Sequence, residues 1–60
     1  MMRVELTFSS GKFIAYPEVK KMRFNEDNTV MFLQIPHEDY KRNEVTIFVN
    51  KLDFFETFEN

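Results

Sequence analysis

The chain has 60 residues, of which 43% are hydrophobic and 17% aromatic, and a chain of this size forms one small domain with little enclosed volume. It contains no cysteine and one histidine, which excludes disulfides and a closed zinc site built from its own side chains. Its formal net charge of −2 gives no electrostatic reason to expect nucleic acid or an anionic membrane as a partner.

The first predicted element is a β-strand at residues 2–8, where apolar and polar side chains alternate. Its apolar face consists of Met2, Val4, Leu6 and Phe8, and its polar face of Arg3, Glu5 and Thr7. Successive side chains of a strand point to opposite faces, so this pattern is typical of a sheet with one face on a core. A hairpin follows, because Gly11 stands where a tight turn requires a positive φ angle.

The next two predicted strands cover residues 12–16 and 19–24. Pro17 separates them, because proline lacks an amide hydrogen and either ends regular pairing or confines it to an edge. The polar cluster at residues 25–28 then predicts a turn, since Asn and Asp side chains bond their own backbone and tolerate left-handed geometry.

Residues 29–35 form a strand with apolar side chains on both faces, which is typical of a strand inside a small barrel or against another molecule. A polar connection at residues 36–43 leads to a further alternating strand at residues 44–49. We expect its core face to consist of Val45, Ile47 and Val49.

Two structures fit the aromatic tail. Leu52, Phe54 and Phe58 fit a strand, whereas Leu52, Phe55 and Phe58, spaced by three, fit a short helix. Residues 49–55 weakly resemble residues 16–22 in their residue pattern, which favours a bend at residues 50–53 and a final strand. The sequence therefore predicts an all-β domain over residues 1–60, a five- to six-stranded antiparallel meander curled into an SH3-like or similar barrel.

Candidate catalytic residues are few. His37 lies beside Glu38 and Asp39, a combination that can act as a base or hold a metal, but neighbours in a polar loop are more simply solvated side chains. A second acidic group consists of Asp53, Glu56 and Glu59, which we interpret as keeping the aromatic tail in water rather than as magnesium ligands. The sequence has no phosphate-binding loop or nucleophile motif. We expect no enzyme, no cofactor and no metal.

The aromatic residues exceed what so small a core holds, since each ring covers roughly 150–250 Å² when enclosed. Closure of a curved barrel could absorb some rings; otherwise they form an apolar patch, which on a protein of this size marks an interface. We expect a non-catalytic protein–protein interaction module or inhibitor, self-associating as a homodimer. The predicted interface residues are Phe13, Tyr40, Arg42, Phe48, Phe54 and Phe55, with Lys41 beside the two loop residues.

The alternative is a small β-barrel that binds single-stranded nucleic acid by stacking bases on rings beside cations. Its basic residues would be Lys12, Lys20, Lys21 and Arg23. The acidic isoelectric point, near 5.2, weighs against this hypothesis, because phosphate contacts dominate such affinities.

Four features of the layout belong together: the alternating first strand, the Ser-Gly hairpin, the corner Glu-Val-Lys-Lys-Met and the closing Asn-Lys-Leu-Asp-Phe-Phe segment. This layout resembles the short all-β proteins of unassigned function that bacteriophages and prophages encode. The resemblance implies a compact binding protein that acts on a host or phage protein.

The lack of cysteine suits a reducing compartment, so we expect a cytoplasmic protein. Apolar runs are at most four residues long, far short of the about 20 that a spanning helix needs, and no signal-peptide segment follows Arg3. We therefore expect no membrane partner.

Overall fold

The computed structural model describes residues 1–36 and 43–59, which fold into six β-strands and one turn of 3₁₀ helix. The strands are β1 (Met2–Phe8), β2 (Phe13–Val19), β3 (Lys21–Phe24), β4 (Val30–Gln34), β5 (Glu44–Phe48) and β6 (Leu52–Glu59), with the 3₁₀ turn at Val49–Lys51. The predicted all-β class is confirmed, and the tail forms a strand after a bend rather than a helix.

Two antiparallel sheets of three strands each contain all six strands. The first sheet has the order β2-β1-β6 and the second sheet the order β3-β4-β5. The chain passes from the first to the second at Lys20, whose N–H donates to the Gln34 carbonyl at 2.7 Å. It returns through the 3₁₀ turn, where the Ser9 N–H donates to the Lys51 carbonyl at 2.9 Å.

The predicted barrel does not close. Among the described residues, β2 pairs with β1 and β3 pairs with β4, and no strand ladder joins β2 to β3. The two sheets therefore remain separate instead of forming one continuous cylinder. The strand order also departs from a simple meander, because β6 returns to pair with β1 at the start of the chain.

One hydrophobic core lies between the two sheets. Its buried members are Val4, Leu6 and Val19 from the first sheet with Met31, Leu33 and Ile47 from the second. Met2 and Phe8 pack against this cluster, so the apolar face predicted for β1 is confirmed. Side chains also alternate along β3, where Met22 and Phe24 pack against the core while Lys21 and Arg23 are exposed.

Both predicted turns form. Gly11 has φ +94° and donates its N–H to the Phe8 carbonyl at 2.8 Å, which closes the first hairpin. Asn28 adopts φ 62° in the β3–β4 turn, where the Asn25 side chain accepts from the Thr29 N–H at 2.8 Å. Hydrogen bonds from the Thr29 side chain and then its backbone hold the pKa of Asp27 below its usual value.

The His37, Glu38 and Asp39 group lies outside the described residues.

Two register shifts change the predicted strand boundaries. β2 runs through Pro17 to Val19 instead of ending at residue 16, because β2 is an edge strand and its register against β1 shifts around the proline. In β6, Phe8 pairs with Leu52 while Thr7 pairs with Phe54, so Asp53 is an extra residue.

Candidate protein-binding surface

Three strands of the first sheet bring two exposed phenylalanines into one row. Thr7 on the central strand β1 pairs with Phe13 of β2 on one side and with Phe54 of β6 on the other. Paired residues share a face of the sheet, and two strand spacings place their backbones about 10 Å apart. Phe13 is 57% exposed and Phe54 is 52% exposed, so both rings stand on the solvent side of the sheet.

Phe58 joins them on the same face. It pairs with Arg3, which lies on the polar side of β1, and it is 42% exposed. Phe54 and Phe58 are four residues apart on an alternating strand, so their side chains point the same way. We call Phe13, Phe54 and Phe58 the aromatic face. Phe58 is absent from the predicted interface, although its spacing of four residues from Phe54 indicates that both side chains lie on one side of the strand.

A polar strip lies between these rings. The Arg3 Nε donates to a Glu5 carboxylate oxygen at 2.6 Å, and Glu5 pairs across the strands with Ala15 and with Glu56. The guanidinium is therefore engaged by Glu5, whereas the structure assigns Glu56 no ion pair within residues 1–36 and 43–59. The face combines exposed rings with an arginine, two residue types that are enriched at protein interfaces.

Phe55 lies on the opposite side of the same strand. It pairs with the buried Leu6, and its ring meets that of Phe24 from the second sheet at 6.2 Å between centroids. Phe55 remains exposed, and its contact Phe24 packs against the core. Phe54 and Phe55 therefore point to opposite sides of β6 and do not share one surface.

Phe48 stands on the second sheet, away from the aromatic face. It is 60% exposed, which confirms the outward orientation predicted from the alternation of β5. Its strand partner is Val30, and the two line a shallow cavity of about 360 Å³ completed by Asn28, Thr29, Val49 and Asn50. The four predicted phenylalanines thus occupy three separate places, while Tyr40 and Arg42 lie outside the described residues.

The predicted basic cluster is dispersed. Lys12 precedes β2 and Lys20 follows it, so a seven-residue strand separates them by roughly 25 Å. Arg23 is engaged, with its guanidinium 3.3 Å from the Glu44 carboxylate and 4.1 Å from the centre of the Phe32 ring. Lys20 and Lys21 are exposed at the corner. Lys12 lies at the hairpin end of β2, away from these two lysines.

In the part of the chain that the structure describes, no three His, Asp or Glu side chains are grouped so that they could hold a metal ion. The same part contains no helix with the length and apolar character needed to cross a bilayer. No protein-family model, curated protein or solved structure matches this chain.

Proposed function

We propose that this protein is a non-catalytic protein-binding module and that it self-associates through the aromatic face. The observation that carries the proposal is the placement of Phe13, Phe54 and Phe58 on the outer side of one sheet, each about half exposed. Rings of this size are costly to leave in water, and covering them is the main source of free energy at protein interfaces.

A two-fold arrangement suits this face. The Arg3–Glu5 pair lies on β1, between the strands that carry the rings, so two copies related by a two-fold axis would oppose both the rings and this pair. The ion pair then supplies polar contacts that fix the relative orientation of the two protomers. A host or phage protein, which the resemblance implies, would bind the same rings in place of the second copy.

The nucleic-acid alternative draws less support from the geometry. Arg23 is already engaged by Glu44, and Lys12 lies at the far end of β2 from Lys20. A single strand would therefore meet two adjacent lysines at the corner rather than a continuous basic groove.

Sedimentation equilibrium over a wide concentration range tests the proposal. We expect a species of twice the 7.3 kDa chain mass at high concentration, with a dissociation constant that barely changes between low and high salt. A particle of 7.3 kDa at every concentration would contradict self-association. Titration with a fluorescent single-stranded oligonucleotide tests the alternative, because phosphate binding weakens steeply as salt rises.

A further inference from the structure

The edge of β6 offers unpaired backbone groups. β6 is one of the two edge strands of the first sheet, and among the described residues only β1 pairs with it. It is eight residues long, and every residue after Leu52 is exposed. An antiparallel ladder uses alternate residues on each side, so part of the N–H and C=O groups of β6 point away from β1. A long exposed edge of this kind is a template for another strand.

The charge on this edge is of one sign. β6 carries Asp53, Glu56 and Glu59 and no basic residue. Within residues 1–36 and 43–59 none of these carboxylates forms an ion pair. On the outer side of the strand, Phe54, Glu56 and Phe58 follow one another, so a carboxylate stands between two rings.

We propose that the β6 edge binds an extended basic segment of another protein by antiparallel strand addition. This proposal rests on the proposed function in one respect: each of them requires the chain to be a protein-binding module. The segment's backbone pairs with the free groups of β6, and a Lys or Arg lies opposite Glu56. Apolar residues two positions to either side of that cation lie opposite Phe54 and Phe58 and extend the aromatic face.

In the register that places ring opposite ring, a second copy of β6 fits this edge poorly. Antiparallel pairing that places Phe54 opposite Phe58 also places Glu56 opposite Glu56 and Asp53 opposite Glu59. Like charges directly opposite each other destabilise a strand pair, and this register gathers the acidic residues of both strands. Self-association through the aromatic face and strand addition at the edge are therefore separate uses of the first sheet.

A designed peptide tests the edge. The probe is fluorescent Lys-Val-Thr-Lys-Ile-Val-Lys, which places a cation opposite each carboxylate of β6 and apolar residues opposite the rings. The charge control replaces its lysines with glutamates. The backbone control keeps the sequence but carries N-methyl groups on the amides that would face β6, so its charge is the same and its hydrogen bonds are lost.

At low salt we expect the lysine peptide to bind and each control to bind at least about tenfold more weakly, as expected for several charge pairs or ladder bonds. Glu56→Lys should weaken the preference for the lysine peptide over the glutamate peptide, because only Asp53 and Glu59 then remain opposite its lysines. The matched variant Glu26→Lys, which changes an exposed charge in the β3–β4 turn, should keep the preference of the wild type.

Equal affinity for the lysine and glutamate peptides, an N-methylated peptide that binds like its parent, or no binding would overturn the edge proposal. These results are independent of sedimentation. A wild-type chain that dimerises but ignores the peptides retains the proposed self-association and loses the edge site. A chain that binds the lysine peptide but never dimerises retains the edge site and loses the self-association.

Discussion

Leu6→Ala should unfold most of the protein at room temperature. Leu6 is fully buried at the centre of β1, with Ile14 and Phe55 as its neighbours across the two adjacent strands. Truncating such a leucine costs about 2–5 kcal/mol, from lost burial and from the cavity that remains. A core in a domain of this size rarely supplies more than about 3–5 kcal/mol in total. Far-UV circular dichroism and urea denaturation measure the loss.

Phe13→Ala is the matched control for Leu6→Ala. It removes a larger side chain, but from an exposed position on an edge strand, so the free energy of unfolding should fall by no more than about 1 kcal/mol. Equal losses in the two variants would show that the inner and outer sides of the first sheet have been assigned incorrectly.

Phe54→Glu is expected to give a folded chain that no longer self-associates. The substitution places a charge at the ring that lies nearest to both of the others, since Phe54 shares a row with Phe13 and a strand with Phe58, and it leaves the core untouched. An aromatic hot spot contributes at least about 2 kcal/mol to an interface, which is roughly a 30-fold change in the dissociation constant. Sedimentation equilibrium of the variant at the concentrations used for the wild type measures this change.

Phe48→Glu provides the comparison for Phe54→Glu. The two rings are similarly exposed and the substitution is the same, but Phe48 belongs to the second sheet. We expect Phe48→Glu to dimerise like the wild type. If Phe48→Glu is monomeric while Phe54→Glu still dimerises, the interface is the surface around the Val30 and Phe48 cavity instead.

Local patterns predicted much of this fold because their causes are local. The alternation of β1 fixes which side chains enter the core, and Gly11 and Asn28 meet the need for positive φ in their turns. The outward orientation of Phe48 follows from the same period-2 rule. None of these features depends on knowing which strand lies beside which.

The composition of the candidate surface depends on strand order and could not be predicted in this way. Phe13 and Phe54 are far apart in the sequence and become neighbours only because β1 lies between β2 and β6. The extra residue Asp53 then reverses the phase of β6, so that Leu52 packs against the core while Phe54 faces solvent. Simple alternation along the strand predicts that these two side chains lie on the same face of the sheet, because it does not include a bulge.

Aromatic-ring NMR during dilution of the wild-type protein tests the central claim most directly. If the aromatic face is the contact surface, the ring resonances of Phe13, Phe54 and Phe58 shift together as the concentration falls, while those of Phe32 and Phe48 stay in place. Ring shifts confined to Phe32 and Phe48, or ring spectra that do not change with concentration, would contradict it.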